Sequence, residues 1–217
     1  MLYLRCKTHK KENNMKKILL ALLTTAAMAM AESHTHDGFF LNLALGFGYQ
    51  SFTYEANKAI FDLEANGVST ELDIKLGGRI ATNTLLHATI LGVTNTSEIE
   101  VKTKKGDKLG SSSNRSENLS LLGIGVTYYL PENFFVSGSI GFANFNMQDN
   151  TDNDNKIDGA TENGLGFQVA AGKEWWVSDN WGLGVSVAFT YGSAEDKDDL
   201  GEASGYGINV MFSATFN

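Results

Sequence analysis

The chain has 217 residues, with 17 Lys+Arg against 25 Asp+Glu and a net charge of -8, a balance that argues against a nucleic-acid partner. One Cys excludes a disulfide scaffold and a structural Cys-based zinc site within the monomer, and only 19% of the residues are charged. Gly stands at 23 and Pro at 1, an unusual ratio for a loop-rich soluble protein.

Residues 1–14 are polar and basic, and they read as an extension ahead of the true initiator, Met15. From Met15 the chain runs MKKILLALLTTAAMAMA: Lys16 and Lys17, a short apolar stretch Ile18–Ala27, then Ala29-Met30-Ala31. That is the pattern of a signal peptide over 15–31, with an apolar run too short to span a bilayer. The remainder, 32–217, forms one domain of net charge -13 with no Cys. Such a chain suits an exported protein that does not depend on disulfides.

Within 32–217, period-2 alternation dominates and helical periodicity is almost absent. In 39–49, Phe39, Leu41, Leu43, Leu45, Phe47 and Tyr49 share one face against Asn42, Ala44, Gly46 and Gly48. The pattern recurs in 181–191 and 206–216, and in 68–80 with Glu71, Asp73, Lys75 and Arg79 opposite the apolar set. Eight strands are expected, at 38–54, 67–81, 85–100, 115–130, 133–147, 162–177, 180–194 and 203–217. All exceed the 5–6 residues common in soluble sheets. Their connections alternate. Thr82–Thr84, Pro131–Glu132 and Ser178–Asp179 are short turns, whereas 55–66, 101–114, 148–161 and 195–202 are long and polar.

This predicts an all-β fold, an eight-stranded antiparallel up-and-down transmembrane β-barrel in the cell outer membrane. An even strand count puts both termini at the short-turn, periplasmic end. An eight-stranded soluble carrier has the same period. Three features favour the membrane: a small-residue polar face suited to a narrow lumen, the alternating connections, and two aromatic girdles. Phe39, Tyr128, Phe134, Trp175, Trp181 and Phe216 are expected near the short-turn rim, and Tyr49, Phe52, Phe142, Tyr191 and Tyr206 near the other.

The signal peptide, the eight amphipathic strands and a last strand ending in Phe216 resemble the OmpA/OmpX-type small outer-membrane β-barrels. The stretch 172–187, GKEWWVSDNWGLGVSV, is similar to a strand–turn–strand of outer-membrane β-barrel domain proteins. The resemblance implies a Gram-negative outer membrane, surrounding lipid and lipopolysaccharide, and delivery by the outer-membrane assembly machinery. The family usually ends on an aromatic; here Asn217 follows Phe216. No peptidoglycan-binding domain follows the barrel, so no tethering role is implied.

Strand parity sends Glu71, Asp73, Lys75, Arg79 and Glu174 into the lumen with Gln168 and Asn42. Charges there must pair, so they form either a salt-bridge plug or a porin-like ion path. Lys173 points at lipid by the same rule and is expected to snorkel at the rim.

Loop 148–161 resembles a calcium loop of the EF-hand or dockerin kind. Asn150, Asp152 and Asp154 take the first three ligand positions, Lys156 offers a carbonyl and Asp158 follows. The turn Gly and the bidentate Glu are absent, which makes it a weak Ca²⁺ candidate, and no other cofactor is expected. If processing follows Ala31, His34 stands third from a free amine and could chelate Cu²⁺ or Ni²⁺, with His36 beside it. His87 falls beside the short turn 82–84, so no Ser-His-acid set assembles at the outer rim and no enzyme is expected. The function expected is a monomeric barrel with a structural or surface-interaction role through long acidic extracellular loops. A narrow channel for ions or small solutes is the alternative.

Overall fold

The computed structural model describes residues 34–57, 61–95, 99–112, 115–149, 159–197 and 201–217. The signal segment and residues 150–158 of the calcium-type loop lie outside them.

Eight long strands close into a barrel. They are β1 (Phe39–Ala56), β2 (Phe61–Ala81), β3 (Thr84–Asn95), β6 (Arg115–Tyr129), β7 (Phe134–Asp149), β9 (Gly164–Trp176), β10 (Trp181–Glu195) and β11 (Gly201–Phe216). Each pairs antiparallel with its neighbours, and β1 closes the circle by pairing with both β2 and β11. Three short strands complete the sheet: β4 (Ile99–Thr103), β5 (Lys108–Ser112) and β8 (Gly159–Ala160).

Alternation explains which face is which. Leu43, Leu45 and Phe47 point outward and are exposed, whereas Asn42 and Ala44, which alternate with them, are buried. In β10, Leu183, Val185 and Val187 point out, and Ser186 and Ala188 point in. One residue of slip would exchange the two sets, so the apolar pattern pins the register. The β1–β11 ladder runs from Leu41↔Phe216 to Ala56↔Gly201 without a shift. The short turns are tight, with Asn83, Glu132 and Asn133 at φ of 56°, 62° and 60°. Asn tolerates this left-handed conformation better than most residues.

The connections differ from the expectation. Within the expected loop 101–114, the described residues 101–112 form most of a hairpin. Strand β3 stops at Asn95, and Ile99–Thr103 pairs with Phe61–Ala65 of β2 before turning back into β5. Strand β2 has 21 residues and β1 has 18, roughly twice the 9–11 that a tilted strand needs to cross a bilayer. A sheet of β11, β1, β2, β4 and β5 therefore rises beyond the membrane on one side. Nor is that hairpin acidic: Lys102, Lys104, Lys105 and Lys108 outnumber its Glu100 and Asp107. Lys102 bonds Glu64 at 2.5 Å and Lys108 bonds Glu100 at 2.8 Å.

The girdles also need two corrections. Tyr128, Phe134, Trp175 and Trp181 face outward as expected, but Phe216 is buried edge-on against Trp181, 5.4 Å between centroids. Phe52 lies at an even position of β1, hence inside, and packs on Phe145 at 5.4 Å.

Candidate functional site: the barrel interior

The interior is built in layers. Near the short-turn rim, Phe40, Leu85, Tyr129 and Phe135 form an aromatic-aliphatic cluster. Glu174 is buried beside it. Its carboxylate accepts from the Tyr129 hydroxyl at 2.5 Å and from the Thr215 hydroxyl, and Thr215 accepts from Asn42 at 2.7 Å. These donors come from β6, β11 and β1, so one acid ties three walls together.

The next layer holds the charges of β2. Lys75 pairs with Asp73 and donates to the Gln168 carbonyl at 3.1 Å. The Gln168 amide donates to Glu71 at 2.6 Å and to Asp73 at 3.0 Å. Glu71 further accepts from Asn209 at 2.6 Å and Thr190 at 3.2 Å. Asn209 in turn accepts from Ser69 at 2.7 Å. A carboxylate removed from water is tolerable only with such partners.

Beside this layer runs a hydroxyl chain. The two ring nitrogens of His87 contact Thr89 and Thr127, each at 3.0 Å, and these reach Ser139 and Ser137 at 2.8 and 2.9 Å. Toward the long-strand end Phe52, Leu91, Val93, Leu119, Leu121 and Phe145 form an apolar cluster, with Gln50, Asn95 and Glu117 buried beside it. A closed eight-stranded barrel with an apolar exterior band and a filled polar middle is the architecture of a small membrane-spanning β-barrel.

The five lumen charges read from sequence separate into three places. Glu71, Asp73 and Lys75 come together. Glu174 belongs to the Tyr129–Thr215 layer instead. Arg79 does not enter the interior. It shares the inward parity, but it lies where β2 reaches the rim and its ladder shifts between Arg79 and Ala81. Its side chain is 42% exposed, and the guanidinium meets Asp37 at 3.9 Å. Asn209, Thr190, Tyr129 and Thr215 were not singled out from sequence. Parity places each inward, but nothing local says which wall it faces.

The residues before β1 fold over the rim. The His34 amide donates to the Asp179 carbonyl at 3.0 Å, and the Arg79 amide to the Gly38 carbonyl at 3.2 Å. His36 is buried and stacks on Tyr129, centroids 3.4 Å apart, with Trp176 at 5.1 Å. Burial holds its imidazole below the ordinary value, against the opposing pull of Asn133, Asn217 and Asp37. Chelation through the His34 backbone nitrogen would have to break its bond to Asp179. Among the described residues no group of three or more His, Cys, Asp or Glu side chains could hold a metal. Asn150, Asp152, Asp154, Lys156 and Asp158 lie outside those residues. Lys173 points outward; its Nζ lies 4.1 Å from the Phe134 ring centroid and donates to the Glu132 carbonyl at 2.9 Å.

No protein-family profile matches the chain, and no curated protein matches it. Several solved structures are similar to it. The outer membrane protease OmpT from Escherichia coli shares 13% identity at a TM-score of 0.48, over 86% of this chain and 99% of that one. The outer membrane protein OprG from Pseudomonas aeruginosa shares 12% at 0.47, over 84% and 98%. Neisserial surface protein A shares 11% at 0.46, over 80% and 95%.

Proposed function

We propose that this protein is a sealed, monomeric outer-membrane barrel whose role is structural and surface-interacting, neither transporting nor catalytic. The observation that carries the reading is the interior filling. Opposite walls touch through Gln168 and Glu71. The cavity beside Asp73, Lys75 and Ser213 has a volume of about 20 Å³, room for about one water. An ion path would need a continuous file of water; here the polar layer lies between two side-chain clusters.

In this reading the short turns and both termini face the periplasm, and the sheet of β11, β1, β2, β4 and β5 stands outside the cell. Lipid and lipopolysaccharide surround the band, and the assembly machinery delivers the chain. The raised sheet, with Lys104 and Lys105 in the turn between β4 and β5, is the surface offered to a partner.

Planar-bilayer recording of refolded 32–217 tests the seal. No steady conductance is expected; a stable ohmic step would make this a channel. Orientation is tested separately. The segment 32–217 has no Cys, so Lys105→Cys is a single label site. A membrane-impermeant maleimide should modify it on whole cells. Protection of Lys105→Cys with labelling of Thr35→Cys would invert the topology.

A further inference from the structure

The outward face of the barrel is not uniform. On β7 the outward positions read Phe134, Val136, Gly138, Ile140 and Phe142. Gly138 leaves a gap in that row: a Cβ there would meet nothing within 4 Å. Val126 of β6 and Val169 of β9 flank it in the ladder. The result is a groove of about 600 Å³ lined by Leu86, Val126, Tyr128, Val136, Ile140 and Val169. Its walls are apolar, and its volume lies in the range of ligand sites.

The second observation is a charge. Among the described residues, Lys173 is the one charged side chain on the outward face of the apolar band. It stands on β9, four residues from Val169 toward the short-turn rim, roughly 13 Å at 3.3 Å per residue. The residue between them on the same face is Ala171, whose small side chain leaves room between the groove and Lys173. The ammonium is held at the rim by the Phe134 ring and the Glu132 carbonyl. The Glu132 carboxylate, 3.7 Å away and 79% exposed, is its one acidic neighbour among these contacts. A cation at the interface with an acyl-sized groove beneath it matches one amphiphile: an anionic headgroup above, a hydrocarbon chain below.

We infer that this face is a binding site for an anionic phospholipid, its phosphate on Lys173 and one acyl chain laid over Gly138. The phosphate takes the place of the Glu132 carboxylate beside Nζ. With the topology proposed above, the lipid belongs to the periplasmic leaflet; that assignment rests on the orientation, but the binding does not. Symmetric micelles or bilayers present the same lipid to both rims, so a failure of binding is distinguishable from an inverted topology.

The test is native mass spectrometry of refolded 32–217 from micelles holding equal phosphatidylglycerol and phosphatidylcholine. One phosphatidylglycerol should be retained about fivefold over phosphatidylcholine, the scale of one basic residue at an anionic surface. Lys173→Gln should bring the ratio near one, and Lys173→Arg should keep it. Gly138→Leu fills the groove and should reduce retention of both lipids severalfold. Heat-modifiable mobility checks that each variant is folded. Equal retention of the two lipids by the parent, an unchanged ratio in Lys173→Gln, or undiminished retention in Gly138→Leu would each overturn the site.

Discussion

Gln168 of β9 and Glu71 of β2 sit on diametrically opposite strands of the barrel, and their side chains meet at 2.6 Å. One amide thus spans the lumen. It donates to two acids and accepts from Lys75, so three charges of one strand each bond to the far wall. The barrel is cross-braced at this level, and its stability there depends on each member having its partner.

Removing the cation should therefore be costly. Lys75→Ala leaves Asp73 buried without its ammonium, and breaking such a buried pair typically costs about 3–5 kcal/mol. Arg79→Ala removes an exposed pair at the rim and should cost less than about 1 kcal/mol. Urea unfolding in lipid vesicles, followed by heat-modifiable mobility, compares the two. Equal costs would mean that the two cations are equally desolvated, against their placement.

The lipid face gives a second contrast. Val185 lies mid-strand on the outside of β10 and Ser186 on the inside. Val185→Arg should cost about 2–4 kcal/mol, and moving the same Arg to Leu183 or Trp181 should relieve that cost stepwise toward the rim. A cost that does not change with depth would separate the apolar band from the bilayer.

Most of the fold was legible because period-2 alternation is a local property. It places Leu43 and Asn42 on opposite faces whatever their partners are. The rim turns were legible for the same reason, since Asn83 and Pro131 act locally. What pattern could not supply is long range. The pairing of Ile99–Thr103 with Phe61–Ala65 joins one segment that reads as a polar connection to another that straddles the expected end of the third strand at residue 100. Parity sent Arg79 inward, but a strand that reaches the rim has no interior to point into. Parity likewise grouped Glu174 with the charges of β2, although the stagger of the strands carries it to the Tyr129 layer.

Seating of the N-terminal segment should depend on pH. His36 is buried against Tyr129 and Trp176, and burial lowers its pKa from the usual 6.5. The released segment takes up a proton near 6.5, while the seated imidazole resists it. Seating is therefore strongest above 6.5 and is lost progressively as pH falls toward the lowered value. Protection factors of the His34 and Arg79 amides, which bond to Asp179 and Gly38, should fall over that range. His36→Phe keeps a stacked ring without the titration, so its protection should stay flat. A parent as flat as His36→Phe would remove His36 from the seating.

Two glycines of β7 three residues apart should respond oppositely to the same change. Gly141 points inward, where its strand faces Gly123 of β6. A Cβ at Gly141 would lie 2.2 Å from the Leu122 carbonyl oxygen and 2.4 Å from the Gly123 Cα. Both obstacles are backbone, so no rotamer change relieves them, and the two strands must separate. Gly141→Val should cost about 1–3 kcal/mol or more, the range for overpacked interiors. Gly138 points into the lipid groove and meets nothing. Gly138→Val adds a branched side chain to an open, apolar position, which favours the strand by up to about 1 kcal/mol. Unfolding midpoints of the two variants in the same vesicles decide the matter. A destabilised Gly138→Val beside a tolerant Gly141→Val would reverse the inside and outside of this strand.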